Sequence, residues 1–167
     1  LHPLWYTPLL PVLFWLSAIA AGLGMVIFES GMSARAFGRA LEFNLLQSVS
    51  KAMAGLLAAF CVLRFGDLAW RGAIGAAFQF SGRGSFEAGM FWLEMFLLLT
   101  PAILVMVPGV RGNPQKLFAS SVLVVAGFLV NRLNVSTTGL EAAAGVRYLP
   151  SWMEISVTLM IVTAGLA

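Results

Sequence analysis

Five long apolar stretches, each close to the length of a membrane crossing, constrain this chain more than anything else in it. They cover roughly residues 8–29, 45–70, 86–107, 116–135 and 151–167, and are rich in Leu, Ala, Val, Phe and Met. A bilayer core about 30 Å thick needs about 20 apolar residues of helix to cross it. Lipid offers the backbone no hydrogen-bond partners, so a crossing must be a helix or part of a closed barrel. The alternating ten-residue segments of a barrel are absent. With 10% charged and 60% hydrophobic residues, the chain has too little charge to cover a water-facing surface, where about 25% is usual. The expected fold is therefore all-α, a polytopic transmembrane bundle forming a single domain over 1–167, with its last helix cut short.

Leu1 is not an initiator Met, no basic n-region or cleavage site precedes the first span, and Ala167 falls inside an apolar run. The chain thus reads as a piece of a longer protein. Cys61 is the lone cysteine and His2 the lone histidine. No disulfide or CxxC metal site can form within the chain, and a haem held by two His ligands is not expected here. No metal site and no catalytic residue are assigned. Basic residues are too dispersed for nucleic acid.

Alternating crossings divide the loops between two sides. One holds Arg71, Arg83 and Arg147; the other holds Arg35, Arg39, Arg111 and Lys116. The small excess on the second side favours placing it in the cytoplasm, with the N-terminus of the chain outside. Trp5, Tyr6, Trp70, Tyr148 and Trp152 then line the outer edge, with Trp15 and Trp92 about two turns inward.

Ionisable groups inside a span cost about 2.5–3.5 kcal/mol each on insertion scales, which makes them candidates for function. They concentrate in the outer half. Arg64 and Asp67 lie one turn apart about 4–9 Å from that edge, and Glu94 lies about 12 Å in, by helix rise. Arg132, flanked by Asn131 and Asn134, closes the fourth span there. Three readings compete. Arg64–Asp67 and Glu94–Arg132 can be ion pairs that pin the bundle. The layer can be a polar pocket for an amphipathic ligand. Glu94 can relay protons. Glu87 and Glu154 fit helix starts, where the dipole favours anions. At the opposite edge, Glu29 and Lys51 are expected to form a structural pair. Ser17, Ala18, Ala21, Gly22 and Gly24 suggest a close-packing face on the first helix, and Pro101 a kink in the third span.

The motifs run in order as His2-Pro3-Leu4-Trp5, Phe28-Glu29, Leu63-Arg64-Phe65-Gly66-Asp67, Phe91-Trp92-Leu93-Glu94, Asn131-Arg132-Leu133-Asn134 and Leu149-Pro150-Ser151-Trp152-Met153-Glu154. This ordered set resembles the C-terminal half of membrane subunits in the NrfD/polysulfide-reductase family, HybB-type branch. The resemblance implies a subunit of a quinone-linked respiratory complex, without the catalytic centre itself, in the bacterial inner membrane. Electrons would pass between a periplasmic iron–sulfur subunit, served by a catalytic hydrogenase or molybdopterin subunit, and menaquinone or ubiquinone, together with proton conduction. Iron–sulfur clusters would lie in partner subunits only. On this reading Glu94, Asp67, Arg64 and Arg132 are the proton-handling candidates, and Trp92, Asn131 and Asn134 the quinone-binding ones. The family's quinone site is generally placed in the first bundle, outside this chain. A small-solute or ion transporter using the same polar layer is the alternative from another class, and a purely structural anchor a third.

Overall fold

The computed structural model describes residues 4, 5, 7–38, 42–80, 85–138 and 151–166. His2, Tyr6, Arg39, Arg83, Glu141, Arg147 and Tyr148 lie outside the described residues. Helix α1 spans Leu10–Phe37, α2 Phe43–Trp70, the short α3 Ile74–Ala77, α4 Ser85–Met106, the short α5 Pro108–Arg111, α6 Pro114–Leu133 and α7 Trp152–Leu166. A π-helical turn, Asn134–Thr138, continues α6. Among the described residues, α1, α2, α4 and α6 (with the start of the π turn) are long and apolar enough to cross a membrane, while α7 is shorter.

The four long helices alternate in direction and close into a ring: α1 packs on α2, α2 on α4, α4 on α6, and α6 returns to α1. Each turns inward a stripe spaced by three and four residues, the repeat of a helix face. On α1 this stripe is Leu13, Leu16, Ser17, Ala20, Gly24, Ile27 and Gly31, and on α4 it is Ala88, Phe91, Glu94, Met95, Leu98, Pro101, Ala102 and Val105. The outward faces carry Val62, Trp70, Phe96, Ile103 and Leu129, all exposed. Such apolar exteriors suit lipid, where burial must come from packing detail rather than from water exclusion. Gly127 shows that detail. A Cβ placed there would sit 2.7 Å from Leu98 Cδ2 and 3.1 Å from Leu97 Cβ, so only glycine lets α4 and α6 approach this closely.

The helix ends differ from the sequence expectation for identifiable reasons. The first helix runs eight residues past Glu29, to Phe37, because residues 30–37 contain no proline and Gly31 packs closely against Phe118. It ends where Gly38 takes a left-handed conformation, φ 62°. α6 begins at Pro114, whose missing N–H costs nothing in a first turn. Asn113 caps it, its side chain accepting from the backbone N–H of Gln115 (2.9 Å) and Lys116 (3.4 Å). Pro101 is buried within α4, which continues on either side of it. Of the small residues expected on one face of α1, Ser17 and Gly24 are buried, whereas Ala18 and Gly22 are exposed.

Candidate functional site: a buried carboxylate held by amides and an indole

Glu94 is fully buried in the half of the bundle where α1 and α4 begin and α2 and α6 end. We call this the Trp5 end. Three neutral N–H donors converge on its carboxylate. Asn131 Nδ2 donates to Oε1 at 2.8 Å, Asn134 Nδ2 to Oε2 at 2.8 Å, and Trp5 Nε1 to Oε2 at 3.4 Å. Asn134 also donates to the carbonyl of Met90, one turn from Glu94 on α4. The two asparagines come from the end of α6, three residues apart and so on nearly one face, and Asn134 opens the π turn. Single π turns inside α-helices are frequent at functional sites.

Beside this cluster, Arg64 on α2 is almost wholly buried, with Nε and Nη2 lacking hydrogen-bond partners. Its electrostatic neighbours are the carboxylates of Glu94 and Asp67 and the like charge of Arg71. Its guanidinium carbon lies 6.0 Å from the Phe91 ring centre, at the outer limit for a cation–π contact. Phe91 in turn packs edge-on against Phe65 and Trp92. Cys61, one turn further along α2, is also buried.

The ion pairs expected from spacing form differently. Asp67 pairs with Arg71, which reaches Oδ2 through both Nε (2.8 Å) and Nη2 (2.6 Å). Arg64 therefore has no bond to Asp67. An acid four residues ahead of its base is the better-oriented helix pair, and Asp67 takes Arg71 in that arrangement. Arg132 likewise does not pair with Glu94. It turns to α1, where Nη2 donates to Ser17 Oγ at 2.9 Å and the guanidinium lies 3.8 Å from the Phe14 ring centre. Its neighbour Asn131 occupies the face toward Glu94, and one residue of helix is a rotation of about 100°.

Glu29 and Lys51 are both exposed and make no ion pair with each other or with another described residue. The α1 face buried nearby runs through Gly24, Ile27 and Gly31, which leaves Glu29 pointing elsewhere. Trp92 spends its indole N–H on the Ala77 carbonyl at 2.8 Å, tying α3 to α4. Trp5 was legible only as an interfacial aromatic, and Ser17 only as a small residue. The structure makes both partners of the polar layer. No periodicity reaches Trp5, which precedes α1, so nothing in the pattern pointed it inward.

Comparison with known proteins supplies the context. Residues 1–144 match the family described as "Polysulphide reductase, NrfD". The chain belongs to the NrfD family. This NrfD chain is accordingly a multi-pass, all-helical membrane protein. It is 33% identical over 162 residues to the "Probable Ni/Fe-hydrogenase 2 b-type cytochrome subunit" of Escherichia coli, covering 95% of this chain and 40% of that protein. It is 27% identical over 164 residues to the "Menaquinone reductase, integral membrane subunit" of Nitratidesulfovibrio vulgaris, covering 90% of this chain and 39% of that one. The chain thus spans about two-fifths of the length of these relatives. No solved structure matches it closely enough to show a relationship.

The first relative is described as a b-type cytochrome subunit. Among the described residues of this NrfD chain there is no histidine and no group of His, Cys, Asp and Glu side chains able to hold a metal. His2 is the only histidine in the sequence. A haem with two imidazole ligands does not fit the donors present here, and no step is derived through one.

Proposed function

We propose that this chain is part of the membrane subunit of a quinone-linked respiratory complex in the bacterial inner membrane, and that Glu94 is its proton-handling group. Reducing a quinone to a quinol takes up two electrons and two protons. A membrane subunit can serve that chemistry by carrying protons to or from a buried carboxylate. The observation that carries the reading is Glu94 itself, a fully buried carboxylate within a membrane-spanning helix, held by Asn131, Asn134 and Trp5. Buried ionisable groups at such depth are costly, and function is the default account of their presence. Kinship to a hydrogenase membrane subunit and a menaquinone reductase membrane subunit supports the redox setting. Electrons would arrive from an iron–sulfur subunit on the outer face, itself fed by a hydrogenase or molybdopterin subunit. The N-terminus of this chain would face that side.

In this reading Arg64 balances the negative charge of the layer, and Asp67 with Arg71 connects it toward the Trp5 end. Arg132 fixes α6 to α1 so that Asn131 and Asn134 meet Glu94. Trp92, Asn131 and Asn134 all spend N–H groups on protein acceptors. We therefore assign the asparagines to holding the carboxylate, and place quinone contact outside this cluster.

The experiment compares membranes holding the full-length subunit and its neighbours with membranes carrying Glu94→Gln. Quinone reduction should fall by about tenfold or more, in line with loss of a positioned proton-transfer group, while activity with an artificial acceptor is retained. Quinone reduction equal to wild type in an assembled Glu94→Gln complex sinks the proposal.

A further inference from the structure

Arg64 is the bulkiest charged side chain buried among the described residues, at 1% exposure, and its Nε and Nη2 have no hydrogen-bond partner there. These two atoms are not scattered over the guanidinium. Their N–H groups point the same way and form one edge of its rigid fork. Arg71 shows what such an edge does, since the same two atoms of Arg71 close on Asp67 Oδ2 at 2.8 and 2.6 Å. Arg64 thus turns an oxygen-gripping edge into the bundle, and no oxygen of a described residue sits on it. Stranding a buried donor costs about 1–3 kcal/mol, and more where the group is charged, so an edge of this kind calls for an occupant.

The neighbours restrict what that occupant is. Asp67, one turn away on α2, is taken by Arg71. Glu94 and Asp67 both act on Arg64 electrostatically, and two carboxylates in range disfavour an anion. Burial of the whole side chain disfavours anything large. What fits is a small neutral molecule with an oxygen acceptor, and Glu94 adds that it must also donate. A carboxylate offers about four acceptor positions. Oε2 gives two to Asn134 and Trp5, and Oε1 gives one to Asn131. One position stays open on Oε1. Water has both halves, an oxygen for Arg64 and an O–H for Glu94.

We propose that the Nε–Nη2 edge of Arg64 binds an ordered internal water that hydrogen-bonds to Glu94 Oε1, so that the two buried charges meet through water and not directly. Buried waters typically make about three hydrogen bonds to otherwise unmatched polar groups, and Nε, Nη2 and Oε1 are three such groups. Arg64 is then a positioning residue for that water. Because water both donates and accepts, one molecule serves a charged Glu94 by donating to it and a neutral one by accepting from its O–H. Arg64 stays partnered in either case. This last consequence rests on the reading of Glu94 as a proton-handling group, whereas the water site does not.

The test uses the full-length subunit in its complex, in native membranes. Brief X-ray irradiation makes hydroxyl radicals from bound water in place, and peptide mass spectrometry reads which buried side chains they oxidise. Phe91, whose ring centre lies 6.0 Å from the Arg64 guanidinium carbon, and Cys61, one turn away on α2, report on the site. Met53, wholly buried and about three turns from Arg64 along α2, is the dry reference. Relative to each residue's rate in the denatured chain, Phe91 and Cys61 should be oxidised about tenfold faster than Met53, as side chains beside an ordered water rather than in a dry core. In assembled Arg64→Met both should fall to the Met53 level. The wild-type contrast stands even where Arg64→Met does not assemble. Phe91 and Cys61 as protected as Met53 in wild type overturn the inference, as does oxidation unchanged in assembled Arg64→Met. Added menaquinone should leave the labelling as it is, and a collapse of labelling would give the Arg64 edge to a quinone carbonyl instead of water. Quinone reduction retained in Glu94→Gln would defeat the reading of Glu94 and leave the water site standing.

Discussion

Asn134 holds Glu94 from the first residue of a π-helical turn, with its amide shared between Glu94 Oε2 at 2.8 Å and the Met90 carbonyl at 3.1 Å. One side chain thus ties the end of α6 to two successive turns of α4. Asn134→Leu keeps the volume but removes both bonds and leaves a buried carboxylate oxygen with one donor fewer. The expected loss is about 1–3 kcal/mol of stability, the usual consequence of stranding a buried acceptor. A lower thermal midpoint of the purified complex would register it, and an unchanged midpoint would contradict the contact.

Arg64 should be the least replaceable cation among the described residues. It is buried beside Glu94 and Asp67, and removing it leaves that layer with an uncompensated negative charge. Arg64→Met is expected to cost about 3–5 kcal/mol, as for breaking a buried charge arrangement from one side. The double variant Arg64→Met with Glu94→Gln should recover part of that loss. Thermal denaturation of both in the same detergent measures the recovery, and strict additivity would mean the two residues do not interact.

Arg71 offers a contrast. Its pair with Asp67 lies at the end of α2, and the Arg71 side chain keeps 18% of its exposure. Arg71→Gln should cost about 1–3 kcal/mol, because the Asp67 side chain that it leaves unpaired is only 4% exposed, and raising the salt concentration should shrink the difference. A loss as large as that of Arg64→Met would show that Arg71 belongs to the buried layer.

Helix packing gives a prediction independent of charge. Gly127→Ala drives a methyl group into Leu98 and should destabilise by about 1–3 kcal/mol. Gly22→Ala meets nothing within 4 Å and should be neutral or stabilising by up to about 1 kcal/mol, since alanine favours a helix over glycine. Comparing the two thermal midpoints tests whether the α4–α6 approach depends on the missing side chain.

The helices and the polar layer were legible because both follow from composition along one dimension. An apolar run of sufficient length must cross, and Arg64, Asp67, Glu94, Asn131 and Arg132 then fall at similar depths by helix rise alone. The partners within the layer were not legible, since depth says nothing about rotation. Asn131 and Arg132 are adjacent in sequence and reach opposite neighbours, Glu94 on α4 and Ser17 on α1. Asp67 lies within one turn of both Arg64 and Arg71, and the orientation rule that favours an acid four residues ahead of its base points to Arg71. Glu29 and Lys51 lie near one edge, yet their helix faces do not meet. Trp5 lay beyond any periodic argument, because its position is set by the tertiary path of a turn.

An asparagine amide has an oxygen at one end and a nitrogen at the other, and half a rotation about its last torsion exchanges them. Asn131 can therefore meet a negatively charged Glu94 with its N–H and a neutral one with its carbonyl, whereas the Asn134 N–H is also committed to the Met90 carbonyl. Arginine or lysine in place of Asn131 could answer only the first. On the proposed reading, Asn131 lets Glu94 change charge with one half-turn of a side chain while the four helices around it stay still.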